Sequence, residues 1–266
     1  MKHYLSIAAL ILFAACNGSK EPDHDDSIVP LPTPTINYSI VAQYPHDTAA
    51  YTEGLQVYKG KFYEGTGMEK ESALQIADIK TGRVEKKHLY TDPLIFGEGI
   101  NVFKNKIYQL TWQNHIVYVY DINNIDNPIK TLKWPYEGWG MTNNGTDLII
   151  SDGTANIYFV NPDDFRVKST IVVADNAGNI DMVNELEYID GFIYANVWQT
   201  NNILKIDPST GHVVGKITLP DLRQQYFPTQ ITQRTDVLNG IAYDSSTKKI
   251  YITGKRWPKV FEIALK

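Results

Sequence analysis

Five times the chain opens a strand-like apolar run with an Asn, Glu or Trp ahead of a short pair, Gly plus an apolar residue in four of the five. The segments are Glu53-Gly54-Leu55, Glu98-Gly99-Ile100, Trp139-Gly140-Met141, Asn184-Glu185-Leu186 and Asn239-Gly240-Ile241, whose middle residues stand 45, 41, 45 and 55 positions apart. Periods of about 40 to 50 residues carrying several short strands each mark a β-propeller. Equivalent positions of all blades converge on the propeller axis. One repeat position therefore delivers Glu53, Glu98, Trp139, Asn184 and Asn239 to a single central pocket.

Within each repeat a short apolar strand is followed by a turn and a second strand rich in Tyr and Ile, such as Phe62-Tyr63, Ile107-Tyr108 and Ile193-Tyr194. An alternating third strand follows, as at Ile116–Asp121 or Ile203–Asp207, ending in turn signals such as Lys80-Thr81-Gly82. The expected fold is all-β, a five-bladed β-propeller over residues 38–266. The fifth repeat ends after three strands, and the apolar run Tyr38–Ala42 has no repeat of its own. That run is expected to supply the fourth strand of the last blade, closing the ring and leaving no open edge.

Ahead of the repeats, Tyr4–Phe13 is an apolar stretch after Lys2 and His3, ending in Ala14-Ala15-Cys16. It is too short for a stable membrane span and reads as a signal segment over residues 1–15, with Cys16 as the lipidation site of a bacterial lipoprotein. The chain has one cysteine, so an intrachain disulfide is impossible. Residues 16–37, acidic and then punctuated by Pro30, Pro32 and Pro34, read as a disordered, solvated tether. The expected location is an exported chain, anchored by lipid to a bacterial membrane on the periplasmic face or cell surface, and monomeric. A net charge of −5 with no basic run argues against nucleic acid as a partner.

A second register follows thirteen residues after each repeat's middle position: Gly67, Trp112, Gly153, Trp198 and, after a longer turn, Lys255. Together the two registers gather Glu98, Asn184, Lys255, Trp112, Trp139 and Trp198 at one rim. Taken singly, each Trp fits a blade core and each Glu a turn; the shared repeat positions are what point to a site. His46, His88, His115 and His212 lack metal-ligand spacing, and neither HExxH, GxSxG nor a Walker-type phosphate loop occurs. A metal-free acid–base site without cofactor fits best. Two rivals stay open: a noncatalytic surface propeller binding peptides or glycans in the same aromatic cage, and a hydrolase holding a divalent cation among Glu53, Glu98, Asn184 and Asn239. Lys255 is a poor neighbour for that cation.

The segments YTEGL (51–55), FGEGI (96–100), EGWGM (137–141), NELEYI (184–189), ANVWQTN (195–201) and TGKRWPKVFEI (253–263) carry a resemblance. Over residues 38–266 the chain resembles the plant-type glutaminyl-peptide cyclotransferases, the glutamine cyclotransferase family of papaya latex and of bacteria. The resemblance implies a five-bladed propeller that converts N-terminal glutaminyl residues of peptides or proteins to pyroglutamate with release of ammonia. It implies catalytic roles for Glu98, Asn184 and Lys255, and substrate contacts from Trp112, Trp139, Trp198, Tyr51 and Glu53. Glu53 departs from the glutamine expected there in the plant enzymes, adding a carboxylate beside the pocket.

Overall fold

The computed structural model describes residues 31–266. The signal segment, Cys16 and most of the acidic tether lie outside the described residues.

Five four-stranded antiparallel sheets follow one another along the chain. Blade one holds β2 (Thr52–Tyr58), β3 (Lys61–Thr66), β4 (Ala73–Asp78) and β5 (Val84–Leu89). Blade two holds β6 (Gly97–Phe103), β7 (Lys106–Thr111), β8 (Ile116–Asp121) and β9 (Lys130–Lys133). Blade three holds β10 (Met141–Asn143), β11 (Leu148–Ser151), β12 (Asn156–Val160) and β13 (Val167–Val172), followed by a small ladder of β14 (Ala174–Asp175) and β15 (Gly178–Asn179). Blade four holds β16 (Val183–Ile189), β17 (Phe192–Val197), β18 (Asn202–Ile206) and β19 (Val213–Thr218). Blade five takes β20 (Leu238–Asp244), β21 (Lys249–Gly254) and β22 (Lys259–Leu265) from the end of the chain.

Its fourth, outermost strand is β1 (Tyr38–Pro45), paired antiparallel with β22 from Tyr38 opposite Leu265 to Pro45 opposite Lys259. The expected closure of first strand onto last is what the ladder shows. The ordered chain reaches further back than expected. Leu31 to Asn37 belong to the folded unit, where a tether was expected to continue to residue 37. Ile36 donates its N–H to the Lys216 carbonyl and Lys216 donates to the Pro34 carbonyl, so the segment runs along the outer edge of β19. The prolines remove only their own donors; the intervening residues keep theirs and satisfy an edge that would otherwise face water.

Alternation along the strands explains the core. On β11, Leu148 and Ile150 point to the interface with blade two, whereas Ile149 points to blade four. Each blade thus has two apolar faces, and the buried side chains form one cluster at each of the five interfaces between neighbouring blades. The long step between the last two repeats holds a short helix, α1 (Leu222–Tyr226), and a 3₁₀ turn at Pro228–Gln230. Asp221 caps α1 by accepting from the Arg223 N–H, and Leu222 and Phe227 are buried in the cluster between blades four and five.

At the axis the innermost strands touch through backbone. A Cβ on Gly140 would strike the Asn184 carbonyl and lie 2.8 Å from the Glu185 Cα; one on Gly99 would lie 2.7 Å from the Met141 nitrogen. Gly54 faces Gly99 in the same way. Glycine at the repeat's middle position is therefore a condition of closing a ring this tight. Blade four alone carries a bulky residue there, and Glu185 spans the axis, accepting from the Leu55 N–H (3.2 Å) and the Ile241 N–H (2.7 Å). Gly140→Ala is expected to destabilise the protein by about 1–3 kcal/mol, the usual cost of overpacking against atoms that cannot move aside. Urea denaturation of the variant beside the wild type measures it.

Candidate active site

Each innermost strand carries an irregularity at the same repeat position. Its register with the second strand shifts between Thr52 and Gly54, Gly97 and Ile100, Val183 and Leu186, and Leu238 and Ile241. In blade three the Trp139 N–H donates to the Ser151 carbonyl ahead of the regular ladder. A bulge leaves one residue unpaired and re-aims its side chain. Here it turns Glu53, Glu98, Trp139 and Asn184 toward the mouth of the axis. Trp112, Trp198 and Lys255, just past the second strands, come in from the sides.

These seven residues and Tyr51 line a single cavity of about 200 Å³. All eight of the residues singled out for catalysis and substrate contact therefore meet in one place. Asn239 does not line it; the side chain lies beneath, donating to the Thr52 carbonyl (2.9 Å) and to Glu53 Oε2 (3.1 Å). Two lining residues escaped the sequence reading, Phe96 and Met68. Phe96 stands where Tyr51 stands in the first repeat, two positions before the glutamate, so the signal was present. Met68 has none, being held in the left-handed region (φ 81°) after Gly67. The glycines of the second register make room for aromatic rings. A Cβ on Gly67 would collide with the Phe96 ring and one on Gly153 with the Trp139 indole.

The aromatic wall is braced from outside the cavity. Glu137 Oε2 accepts from the Trp112 Nε1–H (2.7 Å) and the Trp139 Nε1–H (3.0 Å), and its Oε1 from Gln113 (2.8 Å). Burial pushes the Glu137 carboxyl up, but donation from Trp139, Gln113 and Trp112 holds it below the ordinary carboxylate range. Trp139 meets Trp198 edge-to-face at 5.7 Å, as Phe96 meets Trp112. Tyr51 donates its hydroxyl to Asp236 Oδ2 (2.6 Å), and its ring carries the Lys255 ammonium 4.5 Å from the centroid.

At the floor, Glu53, Glu98, Asn184 and Lys255 are all nearly inaccessible to solvent. Lys255 forms an ion pair with Glu53 Oε1. Glu98 lies against the same Glu53 carboxyl, and burial, followed by that neighbouring charge, holds Glu98 well above the ordinary carboxylate range. Asn184 lines the cavity, and its Oδ1 is buried without a hydrogen-bond partner. Among the described residues no group of three or more His, Cys, Asp or Glu side chains is gathered as for a metal ion.

A propeller bearing on its axis a small aromatic cavity floored by carboxyl, amide and ammonium groups has the parts of an acid–base enzyme acting on a small polar group. The sequence matches the family described as glutamine cyclotransferase over residues 7–265. It is 36% identical over 230 residues to a glutaminyl-peptide cyclotransferase of Arabidopsis thaliana, covering 85% of this chain and 71% of that one. The crystal structure of Myxococcus xanthus glutaminyl cyclase superposes with a TM-score of 0.81 at 32% identity, covering 88% of this chain and 99% of that one. The chain belongs to the glutamine cyclotransferase family.

Replacing Glu137 with Ala removes the shared acceptor of two indoles. Charge-assisted hydrogen bonds of this kind are each worth about 1.5–3 kcal/mol. The variant is expected to lose near-ultraviolet circular dichroism from its tryptophans and to raise KM by about tenfold, while kcat changes less.

Proposed function

We propose that the protein is a glutaminyl-peptide cyclotransferase, converting the N-terminal glutaminyl residue of a peptide or protein to pyroglutamate with release of ammonia, with Glu98 as its general acid–base group. The observation that carries this reading is a buried, raised-pKa carboxyl at the floor of an aromatic cavity, beside an unpaired amide oxygen. A cavity of about 200 Å³ admits one residue and excludes a folded chain, which suits a substrate that presents only its terminus.

The free α-amine must be neutral to attack, and an amino terminus has a pKa of about 7.7–8. Its nitrogen adds to the γ-amide carbon, forming the ring C–N bond and giving a tetrahedral intermediate. That nitrogen then loses one proton, and the departing amide nitrogen gains one as its C–N bond breaks and ammonia leaves. No net proton is consumed, so one carboxyl within reach of both nitrogens suffices. Help of this kind is typically worth about 10²–10⁴ in rate. The indoles hold the side chain folded so that amine and carbonyl meet, and they exclude water. Asn184 accepts from a substrate N–H, and the lysine ammonium contributes positive potential to the developing oxyanion. An ammonium at this floor leaves the pocket's charge balanced without a metal.

Mass spectrometry of a Gln-initiated peptide is expected to show loss of one ammonia that persists in excess chelator. Glu98→Gln is expected to lower kcat by about 10²-fold or more while the peptide still binds. A variant with near-normal turnover would remove Glu98 from the role.

The leader reading extends this proposal to location: export, acylation of Cys16, and a monomer tethered to a bacterial membrane through its lipid only. It rests on the apolar run Tyr4–Phe13 and the small residues before Cys16. Cys16→Ser is expected to abolish incorporation of labelled fatty acid and to shift the protein from the membrane to the soluble fraction.

A further inference from the structure

The cavity floor holds two carboxyl groups and one ammonium, and the mechanism above uses only one of the carboxyls. Glu53 has both oxygens engaged, Oε1 by Lys255 and Oε2 by Asn239. Glu98, 6% exposed, is given no such partners; its polar neighbour is Glu53 itself. We infer that Glu53 is a positioning residue that takes the direct ion pair with Lys255, so that the two carboxyl groups share one proton and the resting enzyme presents Glu98 as an acid. The inference rests on the proposed cyclotransferase reading and deepens it.

Two carboxylates in contact cannot both ionise in a dry site, and the proton goes to the one with the weaker anion support. Lysine and asparagine supply that support to Glu53. Burial pushes both groups up, and at Glu53 the Lys255 charge works most strongly against it. The Lys255 charge also draws Glu98 down, but less than burial and the Glu53 charge push it up, and the remaining charged or titratable neighbours do not reverse this assignment. Glu137, from the segment before β10, adds negative potential at Glu98; Asp236, from the segment before β20, adds it at Glu53; and the Tyr51 hydroxyl is pushed up by burial and by its bond to Asp236. With Glu98 protonated at rest, the first transfer in the reaction is donation from Glu98 to the amide being broken. The proton of the ring nitrogen then restores Glu98. A glutamine at position 53 removes the competing anion and leaves Lys255 to act on Glu98 alone. The amide keeps the size of the glutamate but accepts through one oxygen only, so Lys255 and Asn239 no longer both find an acceptor at position 53.

The experiment has two arms. In the first, kcat/KM for a Gln-initiated peptide is followed against pH for the wild type and Glu53→Gln. Titration of the substrate amine divides out of the ratio. The ratio is expected to vary with pH, the enzyme-borne limb moving to lower pH by about one unit or more; a ratio flat across the range overturns the proposal. In the second, infrared difference spectra at neutral pH compare the wild type with Glu98→Gln and Glu53→Gln. A protonated carboxylic acid band is expected in both wild-type-minus-variant differences, where the contribution of Glu187 common to all three proteins cancels, and its absence from the wild-type-minus-Glu98→Gln difference overturns the shared proton. The second arm needs no substrate. A failure to turn over Gln peptides would sink the proposed function, while the spectrum still decides the inference.

Discussion

Everything in this propeller depends on how closely five innermost strands approach one axis. Gly54, Gly99 and Gly140 each meet the backbone of the next blade with no space for a Cβ. A ring that tight leaves no channel for loose side chains, so the axis is filled by groups with defined partners. Glu185 ties blade four to blades one and five through two backbone N–H groups, and Glu187 accepts from the Tyr243 N–H and the Thr142 hydroxyl. Burial pushes Glu187 up to about 8, so this strut stays largely uncharged through the neutral range. The blades then stack by apolar interfaces, and β1 seals the last of them.

The same crowding produces the site. Because the strands cannot pass the axis in regular register, each shifts at the repeat position and turns one side chain out at the mouth. Glu53 and Glu98 are thereby forced into one small, dry volume with Lys255. Charges there cannot be solvated, and their pKa values move until the floor holds a balance it can support. A carboxyl held well above its ordinary range is thus a consequence of ring geometry together with the count of carboxyl and ammonium groups. The indoles owe their orientation to Glu137, outside the cavity, and Tyr51 owes its own to Asp236. Both supports hold residues that face the cavity without lining it.

Much of this was legible in the chain. Repeat spacing carries blade count because each blade is one supersecondary unit, and the missing fourth strand of the last repeat implied the closing partner. Shared register by itself carries Glu98, Trp139 and Asn184 to one pocket. Phe96 was overlooked because it sits outside the two registers followed, although its place matches Tyr51. Glu137 opens the EGWGM segment but falls in neither register, and Asp236 had no sequence signal, since a residue that braces another through a hydrogen bond need not fall at a repeat position. Residues 31–37 read as a tether because proline-rich composition reports stiffness and says nothing of a neighbouring strand edge.

Local pattern, period and residue type by themselves determined the all-β propeller, its ring closure and the cast of the pocket, because each of these follows from strand periodicity and from symmetry about an axis. Only the tertiary structure decided which carboxyl Lys255 would pair with. The two glutamates occupy equivalent repeat positions with the same local sequence, Glu-Gly, and differ only in what the fold brings to them from other blades. Asn239 lies under Glu53 and not under Glu98. Protonation is set by those long-range neighbours and by burial, and neither is written in the residues adjacent along the chain.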